Sequence, residues 1–528
     1  MRSIYLAIRM FLYAIISFLT IGCENPVSNP GFDSTPPEKS VTFHSINSTQ
    51  STTSRAISKW STAKNISGDI TINQTDNYLH GPKMSISNWQ DSYISWGVYD
   101  NSSIVNGNYT SGTNYIFKGN DVSGWFSDNP QGDIPSPSAF LPQISANKIT
   151  GEAFSIWQDT GVLYASYFHP ETSWSKNEIL GNSELALISP VFDSEVSSIW
   201  VNDKNNMSFS INISNYSIGN GWSTPTSFFR PNGQLMHALI PVKISSIRTL
   251  FVWVEKEQQK FPKLMSIEHD KITGWKNPIL IRELAITTNI YYSGYNLKSI
   301  GKTGGAMLVY EIKENGNIDG VYAHKFIGNN PAGGIWEDVV ILDDATSNSI
   351  HPHSDMVALA SNEKGELAAL WTKNKIINNQ EIIVLIVNRY SPTSGWSKPE
   401  QAVQPLLRYP LESPQDPGPF NFIHGSHITI DSTGEINIAW NQFSNVSSNA
   451  VSHQLLTTLS ADMQGGWIEP MVLDTSNNYY PLIVDLSMDV GTNGTINIAW
   501  RHEVRDLETG VLTNYSIWTS QKNGKIPQ

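Results

Sequence analysis

A β-type run that ends in Trp recurs along this chain, at Trp96, Trp157, Trp200, Trp253, Trp371, Trp440 and Trp500, and Tyr310 fills the one gap. The most regular copy, Ile428 to Trp440, reads Ile-Thr-Ile-Asp-Ser-Thr-Gly-Glu-Ile-Asn-Ile-Ala-Trp. It has the form of two strands joined by a tight turn. In five copies a Gly stands six residues before the aromatic, at Gly151, Gly304, Gly365, Gly434 and Gly494, where a hairpin turn needs a positive φ. Copies spaced by about 58 residues are supersecondary units, and such units bury their apolar faces by packing on one another.

A second Trp signature alternates with the first. Trp125, Trp174, Trp222, Trp275, Trp336, Trp396 and Trp467 are followed by a polar residue and often by Pro, as in Gly395-Trp396-Ser397-Lys398-Pro399. One further β-rich run, such as Val162 to Phe168, lies between the two signatures. Each repeat therefore supplies four strands, with the second signature on the fourth. The last repeat stops after a third strand around Trp518, while Ser58-Lys59-Trp60-Ser61-Thr62-Ala63 reads as a second signature with no strands before it. The expected fold is all-β: an eight-bladed β-propeller of four-stranded antiparallel blades, its ring closed by an N-terminal strand near Trp60 that completes the last blade. One large aromatic per blade then fills the gap between neighbours, so both sets of Trp are expected to be core rather than ligand platforms.

On these residues the chain resembles the Trp-repeat propellers of exported bacterial proteins of unassigned function, in which a turn leads to Val-Trp and then to Gly-Trp-Gly. The likeness covers most of residues 56–528, and it implies a fold far more than a chemistry. The turns before Trp96, Trp200 and Trp253 depart from it in lacking the Gly. A more distant resemblance is to sialidase-like propellers. Here, however, Gly precedes Trp by six residues and sits before the second strand, and Phe229-Arg230-Pro231 is only a faint echo of the sialidase Phe-Arg-Ile-Pro.

The N-terminus carries an address. Arg2 and Arg9 precede an apolar run from Met10 to Ile21, too short to span a bilayer and shaped like a secretory signal. Leu19-Thr20-Ile21-Gly22-Cys23 resembles a bacterial lipobox, and Cys23 is the only Cys in the sequence. The resemblance implies a signal peptide over 1–22, an acylated Cys23 with a flexible Ser/Thr/Asn/Pro-rich tether over 23–55, and one propeller domain over 56–528. Glu24 in place of Asp after the lipidated Cys points by the same resemblance to the outer membrane, periplasmic or surface-exposed. The net charge of −13 repels nucleic acid, which is not expected as a partner. The chain is expected to be monomeric.

Function in such a fold belongs to loops that differ between repeats. In a four-stranded meander the inter-blade loops share one rim of the central channel with the loops between second and third strands. The longest interval from a second-signature Trp to the next turn runs from Trp396 to Gly434. It holds Arg408, Tyr409, Glu412, Asp416, Phe420, Phe422, His424 and His427, with five prolines that restrict it. His80, His237, His351, His353, His424 and His427 all fall at or just before an innermost strand. With Asp355, the pairs His351/His353 and His424/His427 are the candidate ligands for a divalent cation; no other cofactor is expected.

The candidate ligand-binding rim thus comprises the residues from Arg408 to His427 together with His353, Asp355, His237 and His80. Tyr78, Tyr291, Tyr292, Tyr295, Tyr479 and Tyr480 are expected on the same rim. The expected function is an outer-membrane-anchored lipoprotein that presents its propeller as a binding module for a glycan or a protein partner. The alternative is a glycoside hydrolase, sialidase-like or other, acting with rim carboxylates such as Glu412, Asp416, Asp355 and Asp133. No residue is assigned a catalytic role, and no phosphate-binding Gly loop, nucleophile elbow or metalloprotease helix occurs.

Overall fold

The chain divides into residues 1–57 and 58–528. The structure, a computed structural model, describes most of residues 60–523, apart from short segments of which the longest are 128–138, 345–356 and 408–420. The stretches expected to form a signal peptide and a tether, with Cys23, lie outside the described residues. The described part is an eight-bladed β-propeller, built of eight antiparallel four-stranded sheets whose outer strand is in most blades broken into two pieces. An extra two-stranded hairpin, Ile104–Val105 with Asn108–Tyr109, sits between the second and third strands of blade 1.

The innermost strands are Asn77–Ile86, Ala139–Ala146, Leu185–Ile188, Ile240–Lys243, Ile290–Ile300, Ala358–Ser361, Asn421–Ile430 and Pro481–Val490, numbered here as blades 1 to 8. The innermost strand of blade 1 touches those of both blade 2 and blade 8, which closes the ring. Each innermost strand meets the second strand through the turn that the repeat marks. Gly151, Gly304, Gly365, Gly434 and Gly494 all have φ between +78° and +86°. At blade 7 the Asp431 carboxylate accepts hydrogen bonds from the N–H groups of Thr433 (2.8 Å) and Glu435 (2.9 Å), and Asn362 does the same at blade 6 for Lys364 and Glu366. These Asx turns hold the chain in the conformation that the glycine permits.

The apolar core is divided among the gaps between blades. Each buried cluster joins two neighbours, for example Val252 and Leu264 of blade 4 with Leu308 and Tyr310 of blade 5, or Ile94 and Trp96 of blade 1 with Tyr515 and Ile517 of blade 8. The first-signature aromatics sit at the centre of this packing: the seven Trp are at most 3% exposed and Tyr310 is fully buried. The second-signature Trp differ from expectation in degree. Trp60 is buried, but Trp174, Trp222, Trp275, Trp336, Trp396 and Trp467 are half-buried and pack against the margins of the clusters between blades.

The polar residue after the second-signature Trp has a defined role. Ser175, Ser223 and Ser397 each donate a backbone N–H to the third strand and accept its next N–H on the side-chain hydroxyl, at Tyr167 (3.0 Å), Asn215 (3.0 Å) and Arg389 (3.2 Å). The serine thus continues the ladder where the backbone turns away. Ser61 repeats the pattern at the ring closure, with its N–H on Gln521 O (2.7 Å) and its hydroxyl accepting from Gln521 N (3.0 Å). Trp60 bridges to Lys522, and Lys64–Asn65 and Ile70–Thr71 pair with the third strand of blade 8, Leu512–Lys522. The N-terminal segment therefore completes blade 8. The seam is also tied across to blade 7, where the buried Lys522 ammonium donates to Glu435 (2.6 Å), Asn437 (2.7 Å) and Ser460 (2.8 Å).

Replacing Trp60 by Ala is expected to destabilise the protein by about 3 kcal/mol or more in chemical denaturation, because it empties a buried indole site at a junction held by non-consecutive chain. A loss below about 0.5 kcal/mol, the range of surface substitutions, would contradict this closure.

Candidate functional site

The central channel is lined by the eight innermost strands, and their irregularities shape it. Register shifts interrupt the pairing of innermost and second strands in blades 1, 2, 5, 7 and 8, at His80/Lys83, Ile156/Gln158, Tyr292/Gly294, His424/Ser426 and Val484/Ser487. Each lies at or beside the level of the signature aromatic. Bulges bend the strand and re-aim its side chains, which opens the ring locally. At the blade 8 bulge Asp485 adopts φ +52°, a conformation that Asp takes up more readily than most side chains. Its carboxylate, 42% exposed, pairs with Arg501 at 2.8 Å, and Arg501 also pairs with the buried Glu503 at 2.8 Å. Blade 1 answers with Gly81, where a Cβ would overlap Asp485.

Toward the hairpin-turn end, the Lys148 ammonium of blade 2 reaches past blade 1 to Asp489 Oδ1 (2.9 Å) and Val490 O (2.6 Å) of blade 8. The other oxygen of Asp489 accepts the backbone N–H of Ile86 in blade 1 (2.9 Å). Ser487 and Ser85 accept N–H groups of the next blade in the same way, from Met84 (3.1 Å) and Ala146 (2.9 Å). Free edges of the innermost strands are thus capped by side chains of the preceding blade. Lys298 of blade 5 stands within electrostatic reach of this group; burial pushes its pKa down, Asp489 opposes that and Lys148 adds to it.

Most residues expected on the rim fall outside the described residues: Arg408, Tyr409, Glu412, Asp416, Phe420, His237, His351, His353 and Asp355, with Asp133, Tyr479 and Tyr480. For His80, Phe422 and His424 the backbone is placed. His80 is registered opposite Gly97, Phe422 opposite Phe443 and His424 opposite Asn441. His427 is half-buried opposite Ala439, separated from His424 by the bulge at Gly425 (φ +67°). It sits near the turn end of its strand, farther from the rim than its place in the sequence suggests. Among the described residues no three His, Cys, Asp or Glu come together as a metal-binding group.

One expectation is corrected. Tyr295 is 7% exposed and packs into the core between blades 4 and 5, since alternation along its strand turns it inward. Arg230 of the Phe-Arg-Pro stretch is no open carboxylate clamp. Its guanidinium is held by the buried Glu255 and by Glu257, and Glu255 in turn accepts the Trp253 indole N–H (2.9 Å).

A recurring site was missed in the sequence. In blades 2, 4, 5 and 7 the outer strand carries a bulge that inserts Leu180, Ile281, Leu342 or Leu473. The next residue, seven after the second-signature Trp, faces the first-signature aromatic of the following blade. Asp343 accepts the Trp371 indole N–H (3.0 Å) and Asp474 that of Trp500 (2.9 Å). Arg282 donates to the Tyr310 hydroxyl (3.1 Å), and Gly181 leaves room for Trp200. The polarity is matched in three of the four: an acid meets the indole donors of Trp371 and Trp500, and a cation meets the phenol of Tyr310. The repeated spacing was a usable signal, but only once the bulge is known.

No family profile and no curated protein matches this chain. Among solved structures, the β-propeller domain of the Trilobed protease from Pyrococcus furiosus is similar at 10% identity, with 77% of this chain and 100% of that one covered and a TM-score of 0.37. A protein of unknown function from Dyadobacter fermentans is similar at 9% identity (87% and 98% covered, TM-score 0.35). The NanB sialidase from Streptococcus pneumoniae is similar at 12% identity (75% and 70% covered, TM-score 0.35). At such identities no residue's role passes from these proteins to this one.

The turn face also carries a buried titrating pair. Burial pushes the Lys243 ammonium down to about 8 despite Glu195, and pushes the His269 imidazole down to about 4, with Lys243 adding to the effect. The His269 ring bonds Thr226 Oγ1 (3.1 Å) and packs edge-on to Trp275. Its folded pKa lies below its unfolded value of 6.5, so the contribution of neutral His269 is fully present above pH 6.5 and is lost as pH falls through 4. That loss is expected to reach about 3 kcal/mol. Denaturation of wild type and His269→Gln at pH 7 and pH 4 checks it: the variant should lose less stability on acidification by that amount, and equal losses would count against it.

Proposed function

We propose that this protein is an envelope lipoprotein, anchored through an acylated Cys23 to the outer membrane, that presents its propeller as a binding module of the Trp-repeat kind. The ligand, a glycan or a protein partner, is met on the rim formed by the inter-blade loops, where Arg408, Tyr409, Glu412, Asp416, Phe420 and Phe422 supply aromatic and polar contacts. The tether of about 30 residues gives the module reach from the bilayer surface.

The observation that carries this reading is how the buried carboxylates of the described residues are used. Four of the seven, Glu255, Glu268, Glu435 and Glu503, each face a cation, Arg230, Arg248, Lys522 and Arg501 respectively, and the first three of these pairs tie strands or blades together. A glycosidase needs one carboxylic acid held protonated and a second left ionised across a cleft. Carboxylates locked to arginine and lysine serve the scaffold. The ring is thereby built as a rigid frame, and variation is left to the loops that it holds apart.

Two measurements test the proposal. Metabolic labelling with a radioactive fatty acid is expected to mark the wild-type protein and to leave Cys23→Ala unlabelled and out of the membrane fraction; a labelled variant would sink the anchor. A glycan array and a glycosidase panel on the soluble fragment from about Arg55 are expected to show saturable binding without turnover. Hydrolysis lost on Glu412→Gln or Asp416→Asn would replace the binding module with an enzyme.

A further inference from the structure

The perimeter of the propeller differs in character from blade to blade. The outer strands of blades 6 and 8 present Glu400–Gln401 and Lys64–Asn65, polar edges that resist pairing with other chains. Blades 4 and 5 present the opposite. Ile272 is 77% exposed, Leu280 48%, Ile335 57% and Ile341 59%, with Val339 and Val340 exposed beside them. The ring does not need these side chains, because Ile281 and Leu342 of the same two outer strands already pack inward.

Three features make this an organised surface. Val340 and Ile341 pair with Ala323 and Tyr322 of the third strand, and among the described residues no strand covers their other edge. A recess of about 100 Å³ opens between the two blades, with Leu250, Ile279 and Phe326 on its apolar side and Ser266, Glu268, Lys276 and Asn277 on its polar side. Gly334 lies so close on the Phe326 ring that no side chain fits there, which keeps the recess open. Finally, the apolar strip is bordered by acids: Glu337 and Asp338 before it, Asp344 after it and Glu283 at the end of the neighbouring outer strand are all exposed. Lys325 offsets Glu337 at 3.4 Å and Lys263 is registered opposite Glu283, which leaves Asp338 and Asp344 to set the charge at the two ends of the strip.

The acidic borders select the occupant. A second copy related by two-fold symmetry would set acid against acid at both ends of the paired strip, and an anionic lipid surface would be repelled. An extended peptide with apolar residues in its middle and Lys or Arg at both ends matches the strip in shape and charge. We propose that the outer faces of blades 4 and 5 are a docking surface for such a segment of a protein partner. The segment pairs with the free edge of Val339 to Ile341 until the bulge at Leu342 ends the register, and one aliphatic side chain enters the recess. This surface is separate from the loop rim and does not depend on what the rim binds.

The test uses the full-length protein in detergent and fluorescent synthetic peptides of alternating Val and Thr, one with lysines and one with glutamates at both ends. The Lys-flanked peptide is expected to bind saturably, and the Glu-flanked peptide at least about tenfold more weakly. Ile341→Lys is expected to abolish binding with no change in the unfolding midpoint, since that side chain is exposed, while Ile179→Lys on the edge of blade 2 leaves binding intact. Equal binding of both peptides, absence of binding, or binding indifferent to Ile341→Lys overturns the proposal. So does concentration-dependent dimerisation removed by Ile341→Lys, which assigns the face to a second copy.

Discussion

Everything in this fold depends on the aromatic wedge between blades. A four-stranded sheet of this size has two faces to bury and no helix to cover either. Its solution is a neighbour on each side and one large ring in each gap. An indole in such a gap brings a hydrogen-bond donor with it, and at Trp371 and Trp500 that donor is satisfied away from water. The outer-strand bulge meets the need by turning Asp343 or Asp474 toward the next blade's Trp371 or Trp500. Where Tyr310 replaces Trp, Arg282 replaces the acid and His324 joins from the third strand of the same blade (3.1 Å). The polar cap follows the aromatic it serves, so the two belong to one device.

With a single Cys, at position 23, no disulfide holds the ring together. Side chains take that role at the inner edge and at the seam. Ser85, Ser487 and Asp489 cap backbone N–H groups of the next blade, and Lys148 reaches over blade 1 to blade 8. At the seam, Ser61 and Lys522 join the two ends of the described chain to one sheet and that sheet to blade 7. A frame tied at both radii keeps its loops at fixed spacing around the channel, which is the property a binding rim or a docking edge draws on.

The fold was legible because its signals are local and repeated. Gly434 before Trp440 fixes a turn, the alternation from Ile436 to Trp440 fixes a strand, and eight copies with one displaced signature at Trp60 fix both the count and the closure. What the residues did not reveal is a matter of register. An inserted Leu342 or Leu473 looks like any other strand residue, and only the pairing of the third strand shows that it is extra and that the next side chain changes direction. Tyr295 was misplaced for a related reason, since the alternation along its strand decides which way a side chain faces. Arg230 was legible as an unusual residue but not as an occupied one, because Glu255 comes from the following blade. The loop from Arg408 to Phe420 repeats nothing, and its chemistry has no pattern to be read against.

Native-state hydrogen exchange on the third strand of blade 8 tests the account most directly. Ile517 and Gln521 donate their amides to Ser67 and Ser61 of the N-terminal segment. If that segment closes the ring, these amides exchange as slowly as Tyr167 and Asn215, their counterparts beside Ser175 and Ser223, and all open together with the global unfolding of the propeller. Fast exchange of Ile517 and Gln521, at the rate of an uncovered sheet edge while the other blades stay protected, would contradict a ring built and closed in this way.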